Sequence, residues 1–475
     1  MYAHDNETRN ALIRASDDPH RRVLFTGGTV VSVDPEVGTL TTGDVLVEGS
    51  RIVDVAADLR SQGAVEGAIV VDTTGSIVAP GLVDTHRHAW QAQMRRTIPD
   101  VDDLGGYLMS TLATVVPVYT PHDMYVGTKL AALTALDSGI TTMLDFSHNS
   151  RTQEHSDSAI RALIDTGIRG VHASMSPHFG DWDGQWPADL ARLREQYFRT
   201  DDQLLTLRLA ALATPDIAGP RLAYGPGLAR VVNDLDIGVS LDVMFGAAAS
   251  KAILRWEGQG LLNPRMTSIH STALTPDAWR AMGAAGVTVA LAPTSDAQIG
   301  LEDVVPAIDE ALAVGIRPGL SIDVEVALAS DMFTQMRTLL AIQRMRAANA
   351  AYGTDKEISR ITTRDVLEFA TLRGAHTNGL GSVTGSLTPG KQADLMVVRA
   401  EDVNNMPLND AVGTLVLGTD LRNVDSVFVA GRPRKWAGRL VDVDVDALRA
   451  EVTASRDAIQ SRVAAASAGR GTHPV

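Results

Sequence analysis

Between about residues 80 and 385 the chain repeats one pattern, in which a short apolar run is followed by a helical stretch. Eight such runs can be counted, at residues 77–83, 139–146, 167–173, 207–213, 237–243, 267–270, 287–292 and 317–323. Strands that alternate with helices pair in parallel, and eight of them predict a closed (β/α)8 TIM barrel, an α/β fold. In such a barrel the reactive side chains lie at the carboxyl ends of the strands.

Both ends of the chain carry short β-branched runs separated by glycines, which are typical of antiparallel strands and hairpins. Neither set has enough strands to bury two faces, so we expect residues 23–79 and 386–440 to build one small β-sandwich domain around a barrel at 80–385. Residues 1–22 are predicted to be a flexible or partner-docked arm. Residues 441–475 are predicted to be an exposed alanine-rich helix and a frayed tail.

The composition excludes several classes of protein. A net charge of −15 argues against nucleic acid or an anionic membrane as a partner. The absence of cysteine excludes disulfides, thiolate metal ligands and cysteine nucleophiles. The polar residues 1–22 contain no apolar core of a secretion signal, and no run approaches the roughly 18 apolar residues of a membrane span. We therefore expect a cytoplasmic protein with a small-molecule partner.

The first apolar run delivers two histidines, His86 and His88, separated by one residue. Residues i and i+2 of a strand project to the same face, so the two imidazoles are expected to lie side by side. Paired imidazoles are good ligands for a divalent metal. A chance pair of surface histidines is the alternative interpretation.

Residues 79–88, which read Ala-Pro-Gly-Leu-Val-Asp-Thr-His-Arg-His, resemble the first barrel strand of the metal-dependent amidohydrolase superfamily, in its cytosine deaminase and chlorohydrolase-like branch. The family's pattern there is Pro-Gly-[Leu/Phe]-Val-Asp-x-His-x-His, and it introduces the first two metal ligands. Residues 389–395 resemble the family's C-terminal signature. The resemblance covers about residues 23–440 and implies the same layout of barrel and β-sandwich.

The resemblance also implies roles for strand-end residues further along the chain. Asp323, at the end of the eighth run, would be a metal ligand that also takes a proton from the metal-bound water. His270, at the end of the sixth run, would contact that water or the polar atom of the leaving group. A lysine is absent from the fourth run, so a binuclear centre bridged by a carbamylated lysine is not expected.

The fifth run departs from the family. Many members carry His-x-x-Glu there, whereas this chain has Asp242 and Phe245. Asp242 can still ligate a metal through oxygen, but Phe245 cannot move a proton, which places ordinary ring deamination in doubt. We therefore predict one divalent metal held by His86, His88, Asp323 and Asp242, with zinc as the first choice and iron, manganese or cobalt as alternatives.

Replacement polar groups must come from other loops. His148 follows the second run and is a candidate acid or base, since histidine titrates near neutral pH. His172 and His178 in and after the third run, Gln91 after the histidine pair, and Trp182 in a long loop are candidate substrate contacts. For each of them a structural or surface role remains the alternative.

The leading functional hypothesis is a hydrolase that uses metal-activated water to cleave a C–N bond of a small molecule, such as an amide, carbamate, cyclic amide or amidine. The loss of the strand-5 His and Glu leaves open a non-hydrolytic lyase, decarboxylase or isomerase on the same fold. A degenerate ligand-binding barrel is a third possibility. Because members of the family are often dimers or tetramers, a homo-oligomer is expected.

Overall fold

The structure, a computed structural model, describes residues 6–64, 66–200, 202–301 and 305–470. Its strands are β1 (Arg22–Val31), β2 (Thr39–Glu48), β3 (Arg51–Ala56), β4 (Ala68–Asp72), β5 (Ser76–Pro80), β6 (Leu82–Arg87), β7 (Ile140–Ser147), β8 (Arg169–Ser174), β9 (Leu205–Leu212), β10 (Gly238–Val243), β11 (Met266–His270), β12 (Thr288–Leu291), β13 (Gly319–Leu320), β14 (Leu395–Arg399), β15 (Val424–Val429), β16 (Arg432–Trp436) and β17 (Arg439–Leu440).

The α-helices are α1 (Asn6–Arg14), α2 (Leu104–Tyr107), α3 (Pro121–Asp137), α4 (Gln153–Thr166), α5 (Asp189–Tyr197), α6 (Pro226–Asp234), α7 (Gly246–Gly258), α8 (Pro276–Ala285), α9 (Pro293–Ile299), α10 (Ile308–Ala313), α11 (Met332–Ala351), α12 (Thr363–Phe369), α13 (Leu372–Thr377), α14 (Ala411–Gly413) and α15 (Val445–Arg470). Within the described residues, none of these helices is both long enough and apolar enough to cross a membrane.

Strands β6 to β13 form the predicted barrel. They pair in parallel and in sequence order. The barrel closes where Arg87 forms a parallel bridge to Asp323, whose N–H donates to the carbonyl of His86 at 2.9 Å. The eighth strand is shorter than the predicted run of residues 317–323 because the backbone turns at Asp323, which has φ of 68°. The barrel prediction is confirmed.

Local signals place the helices around this barrel. Helix α3 begins with a capping box, in which Thr120 and Asp123 satisfy each other's backbone N–H groups. Helix α4 ends at Gly167, whose φ of 64° is the left-handed conformation that stops a helix. These caps fix where α3 begins and where α4 ends, and therefore which residues lie in the loops next to these helices.

The remaining nine strands form one sheet. Both chain ends contribute strands to it, as predicted for the β domain. Strand β14 pairs with β5 and so joins the two ends. Alternation along β14 sends Leu395 and Val397 into the core of the β domain, while Met396 and Val398 pack into the barrel core. Phe25 of β1 and Phe428 of β15 are three strands apart in the sheet, yet their ring centroids lie 4.9 Å apart. The sheet therefore curls over its own core.

The two terminal segments differ from their predictions. Within the predicted arm, α1 packs on the β domain through the fully buried Leu12. Helix α15 is docked and not simply exposed, because Ile459 is fully buried and Ser455 donates to the Asp123 carboxylate at 2.7 Å. Residues 1–5 and 471–475 lie outside the described residues. Apolar positions spaced along α15 explain the docking better than its alanine content does.

Candidate metal centre

The carboxyl end of the barrel brings together two histidines and two aspartates. His86 is the penultimate residue of β6 and His88 directly follows the strand, and their ring centroids lie 4.7 Å apart. The Nε2 atoms of His86 and His88 lie 3.0 and 3.1 Å from Oδ1 of Asp323. Oδ1 of Asp242, near the end of β10, lies 3.8 Å from Nε2 of His86. Residues from three distant parts of the chain, at 86–88, 242 and 323, therefore share one small volume.

This donor set fits a divalent metal. In a tetrahedral site with metal–ligand bonds of about 2.0–2.1 Å, ligand atoms are separated by about 3.3 Å. The three separations of 3.0, 3.1 and 3.8 Å bracket that value. Oδ1 of Asp242 is also buried without a hydrogen-bond partner among the described residues, as expected of an atom that is built to ligate.

A second buried pair lies next to the cluster. Nδ1 of His270 lies 2.7 Å from Oδ1 of Asp296, and Nε2 of His270 lies 3.8 Å from Oδ2 of Asp323. Burial lowers the pKa of His270, but the hydrogen bond and charge of Asp296, with the charges of Asp323 and Asp242, outweigh burial and raise it to about 9. The pair holds the imidazole in one orientation with Nε2 toward the site.

The charge state of Asp323 follows from its surroundings. Burial raises its pKa, but the charge and hydrogen bond of His86, the hydrogen bond of His88 and the charge of His270 outweigh burial and hold the pKa well below the usual range. The hydroxyl of Ser295 also donates to Oδ2 of Asp323. Asp323 is thus an anion with several donors around it.

Ser295 and Asp296 were missed by reasoning from the sequence. Both lie on α9, directly after the seventh apolar run and strand β12. The rule that reactive side chains follow the carboxyl ends of barrel strands would have found them, had it been applied to every strand.

A buried network holds the backbone that carries the ligands. Arg87, between the two histidines, lies 2.8 Å from Glu325, and Arg95 pairs with the same carboxylate at 2.5 Å. Burial raises the pKa of Glu325, but the two arginines outweigh it and bring the pKa to about 2. Glu325 follows Asp323 by two residues, so this network ties the end of β6 to the loop after β13.

A pocket opens beside the donor cluster. Its polar wall includes His88, Asp242, His270, Ser295 and Asp323. The rest of the lining is mostly apolar: Leu104, Leu108, Leu112, Ile217, Met244, Ile299, Leu301 and Val324. A mostly apolar cavity with a few convergent polar groups is typical of a small-molecule site.

Two further predicted histidines, His148 and His178, lie in this pocket. The His148 ring lies 4.0 Å from that of His88 and 5.1 Å from that of His178, and both line the pocket. Burial lowers the pKa of His148 well below its usual value, and it lowers that of His178 to about 3. Tyr107, which was not predicted, lines the same cavity.

Three predicted substrate contacts do not line the pocket. His172 lies within β8, fully buried, with Nδ1 3.3 Å from Asp145 of the neighbouring strand, because it precedes the end of the strand and does not follow it. Gln91 is fully buried and donates to the Tyr107 hydroxyl at 2.7 Å, so it acts through that residue. Trp182 stacks under the guanidinium of Arg221 at 4.3 Å, away from the lining.

The fifth barrel strand, β10, and the residues after it are where the sequence departs from the family pattern. Phe245, with φ of 60°, is the residue directly before α7, and it does not line the pocket. The neighbouring Met244 does. Within the described residues, Asp242 and Asp323 are the two carboxylates of the pocket lining.

Comparisons with known proteins agree with this geometry. A model of the amidohydrolase family matches residues 77–216 and 244–434. The unmatched residues 217–243 contain β10 and Asp242. The chain departs from the family model in the segment where its predicted ligand set differs.

Two curated relatives match most of the chain. An 8-oxoguanine deaminase of Pseudomonas aeruginosa is 27% identical over 447 residues, covering 89% of this chain and 96% of the relative. A 5-methylthioadenosine/S-adenosylhomocysteine deaminase of Desulforudis audaxviator is 27% identical over 456 residues, covering 92% of this chain and 99% of the relative.

Solved structures support the fold. An adenosine deaminase from Xanthomonas campestris with bound zinc superposes with a TM-score of 0.80 at 24% identity, covering 92% of this chain and 98% of that one. A mutant of the atrazine chlorohydrolase TrzN from Arthrobacter aurescens, complexed with zinc and atraton, has a TM-score of 0.78 at 20% identity, covering 91% and 100%.

Proposed function

The chain belongs to the amidohydrolase family, its relatives include deaminases of small molecules, and we propose that it uses one divalent metal to hydrolyse a C–N bond. The observation that carries the proposal is the convergence of His86, His88, Asp242 and Asp323 at the carboxyl end of the barrel, beside a pocket with an apolar wall. Suitable bonds are those of amides, carbamates, cyclic amides and amidines.

Zinc is the proposed metal, because two imidazole nitrogens and two carboxylate oxygens are ligands that zinc accepts, and because zinc is bound in the similar adenosine deaminase structure. The metal supplies a water of lowered pKa and a Lewis acid for the oxygen or nitrogen that gains charge. Iron, manganese and cobalt are compatible with the same atoms.

The protein's own groups then handle the proton and the developing charge. The ionised Asp323 accepts the proton of the attacking water and passes it to the leaving nitrogen. His270, held by Asp296 at 2.7 Å, presents Nε2 toward the site, where it donates to the atom that becomes negatively charged. His148, His178 and Tyr107 line the same pocket and supply further hydrogen bonds to substrate.

The replacement of the family's glutamate by Phe245, after the fifth barrel strand β10, restricts the range of substrates that we propose. A glutamate that would protonate a ring nitrogen has no counterpart, since Phe245 stands at that sequence position and the described pocket carboxylates are both in the proposed ligand set. We therefore propose substrates whose leaving nitrogen is protonated by Asp323 directly, which favours amide-like bonds over ring deamination.

The loss of the family's histidine and glutamate in this segment also leaves one alternative function. It is a lyase, decarboxylase or isomerase in which a polarised carbonyl reacts without consuming water. Product formed in water enriched in heavy oxygen separates the two. Incorporation of one labelled oxygen per turnover is expected of the hydrolase. Product without label and without added water refutes it.

The test of the metal site is elemental analysis of the purified protein beside Asp242→Ala. The matched control is Asp145→Asn, which alters a buried barrel carboxylate outside the donor cluster. We expect about one metal per chain in the parent and the control, and a loss in Asp242→Ala, since one of about four ligands is removed.

Two results would contradict these expectations. Metal retained in Asp242→Ala would leave ligation to His86, His88 and Asp323 and refute the four-residue set. No bound metal after repletion with zinc, manganese, cobalt or iron would refute the hydrolase proposal as a whole.

We also propose that the protein works in the cytoplasm as a homodimer or homotetramer. Val403, Met406 and Leu417 are large apolar side chains that are 85%, 55% and 57% exposed and lie close in sequence, as at an interface. Light scattering after gel filtration measures the mass directly. A mass of one chain would refute the oligomer.

A further inference from the structure

A second cavity lies at the opposite face of the barrel. It is about 370 Å³ in volume and is bordered by the first residues of β9 and β10 and by residues just before β11. These are the amino ends of the strands, whereas Asp242 lies four residues further along β10 from Gly238. At about 3.3 Å per residue, the cavity is about 13 Å from the metal centre. It falls within the size range of ligand pockets.

Arg208 of β9 forms the inner wall of this cavity, and its side chain is buried, with the whole residue only 4% exposed. Its Nε donates to the hydroxyl of Ser240 at 3.0 Å. Its Nη2 donates to the carbonyls of Val239 and Arg265 at 2.7 and 3.0 Å and lies 2.9 Å from the hydroxyl of Thr267. All of these partners are neutral groups.

Arg208 has no carboxylate partner among the described residues. The other deeply buried arginines of the barrel strands differ in this respect, since Arg87 pairs with Glu325 and Arg169 pairs with Asp394. A buried charge that lacks a counter-ion is costly. Burial lowers the pKa of Arg208 to about 10, so the group remains charged at neutral pH.

One donor group of Arg208, a residue that lines the cavity, is unused. Nη1 has no hydrogen-bond partner within the described part of the chain, and it is not sealed from solvent. Gly238 and Gly379 stand beside it, and Cβ atoms built there would lie 2.8 and 3.7 Å from Nη1. The absence of side chains at both positions leaves room for a ligand atom at this nitrogen.

The charge of the lining favours an anion. Among its described residues are the three arginines Arg194, Arg208 and Arg265, against one aspartate, Asp236. This excess of positive charge occurs in a chain with a net charge of −15. Seven further lining residues are apolar, and they supply an apolar wall: Phe198, Leu205, Leu207, Ile237, Pro264, Leu380 and Val383.

We propose that this cavity binds a small organic anion, whose oxyanion group, a carboxylate or a phosphate, accepts a hydrogen bond from Nη1 of Arg208 while its apolar part packs against the apolar lining. The ligand supplies the counter-charge that the fold lacks at this position. The site is separate from the metal centre and does not depend on the proposed hydrolytic function.

The test is calorimetric titration of the metal-loaded protein with benzoate, phenyl phosphate and inorganic phosphate, with benzyl alcohol as the uncharged control. We expect one benzoate or phenyl phosphate per chain, weaker binding of inorganic phosphate, and none of benzyl alcohol. Whichever of benzoate and phenyl phosphate binds more tightly identifies the natural oxyanion as carboxylate or phosphate.

Three variants connect binding to the cavity. Arg208→Met is expected to weaken binding at least tenfold. Arg265→Glu reverses a half-exposed charge at the rim and is expected to weaken binding while the fold is kept. Arg169→Met removes a buried arginine elsewhere and is expected to retain full affinity.

The proposal is overturned if neither organic anion binds at millimolar concentration. It is also overturned if affinity is unchanged in Arg208→Met and Arg265→Glu, as for an anion bound at the metal centre. Should Arg208→Met fail to fold, the result for Arg265→Glu decides alone. If inorganic phosphate binds as tightly as phenyl phosphate, the proposal that the apolar lining packs against the ligand is refuted.

Discussion

A buried ion pair between the two domains offers a sharp test of how the fold is held together. Nε and Nη2 of Arg169, at the start of β8, lie 2.6 and 3.1 Å from the two oxygens of Asp394. The side chains are 3% and 0% exposed. Asp394 also accepts from the N–H of Ala430 at 2.7 Å. One carboxylate thus links the barrel to two segments of the β domain.

Asp394→Ala is expected to destabilise the protein by about 3–5 kcal/mol, because it leaves a buried guanidinium without its counter-ion. With an unfolding entropy of about 2.1 cal/mol/K per residue over 475 residues, the total is about 1 kcal/mol/K. The expected fall in Tm is therefore about 3–5 °C.

Scanning calorimetry measures this directly, with two comparison proteins. Arg169→Met combined with Asp394→Ala is expected to regain part of the lost Tm, since no unpaired charge remains. Asp446→Asn breaks an exposed pair with Arg449 and is expected to cost less than about 1 kcal/mol. A fall in Tm for Asp394→Ala no larger than that of Asp446→Asn would refute the reasoning.

Removing the metal with a chelator is expected to lower Tm by about 3 °C against protein held in zinc at about 100 times the Kd, a binding contribution of about 2.7 kcal/mol; an unchanged Tm on calorimetry would contradict a zinc site. Gly127→Ala places a Cβ 2.2 Å from the carbonyl of Trp90 and is expected to cost about 1–3 kcal/mol, whereas Gly258→Ala, with open space around it, is expected to be neutral or stabilising. Equal melting temperatures for these two variants would argue against the close approach of α3 to the Trp90 carbonyl. Ile459→Ala is expected to cost about 2–5 kcal/mol and to speed proteolysis of α15, while Val445→Ala on the same helix, 54% exposed, is expected to cost under about 0.5 kcal/mol. Unchanged proteolysis of the Ile459 variant would show that the helix is not held by this contact.

Much of the fold could be predicted from the local periodicity of apolar residues in the sequence. The eight apolar runs, alternating with helices, predicted eight parallel strands and a closed barrel, and these are observed. His86 and His88 could be placed side by side because the two-residue repeat of a strand is a property of the backbone and needs no partner.

The tertiary structure alone decided what surrounds those histidines. Asp323 is 237 residues from His86 in the chain, and the separation of their side-chain atoms depends on how the last strand closes against the first. Asp296 holding His270 and the burial of His172 below the pocket are results of the same kind. The sequence repeat specifies which face of an element is apolar. The distances between side chains from different elements depend on strand closure and loop paths, which are set by packing of the whole chain and have no local period to reveal them.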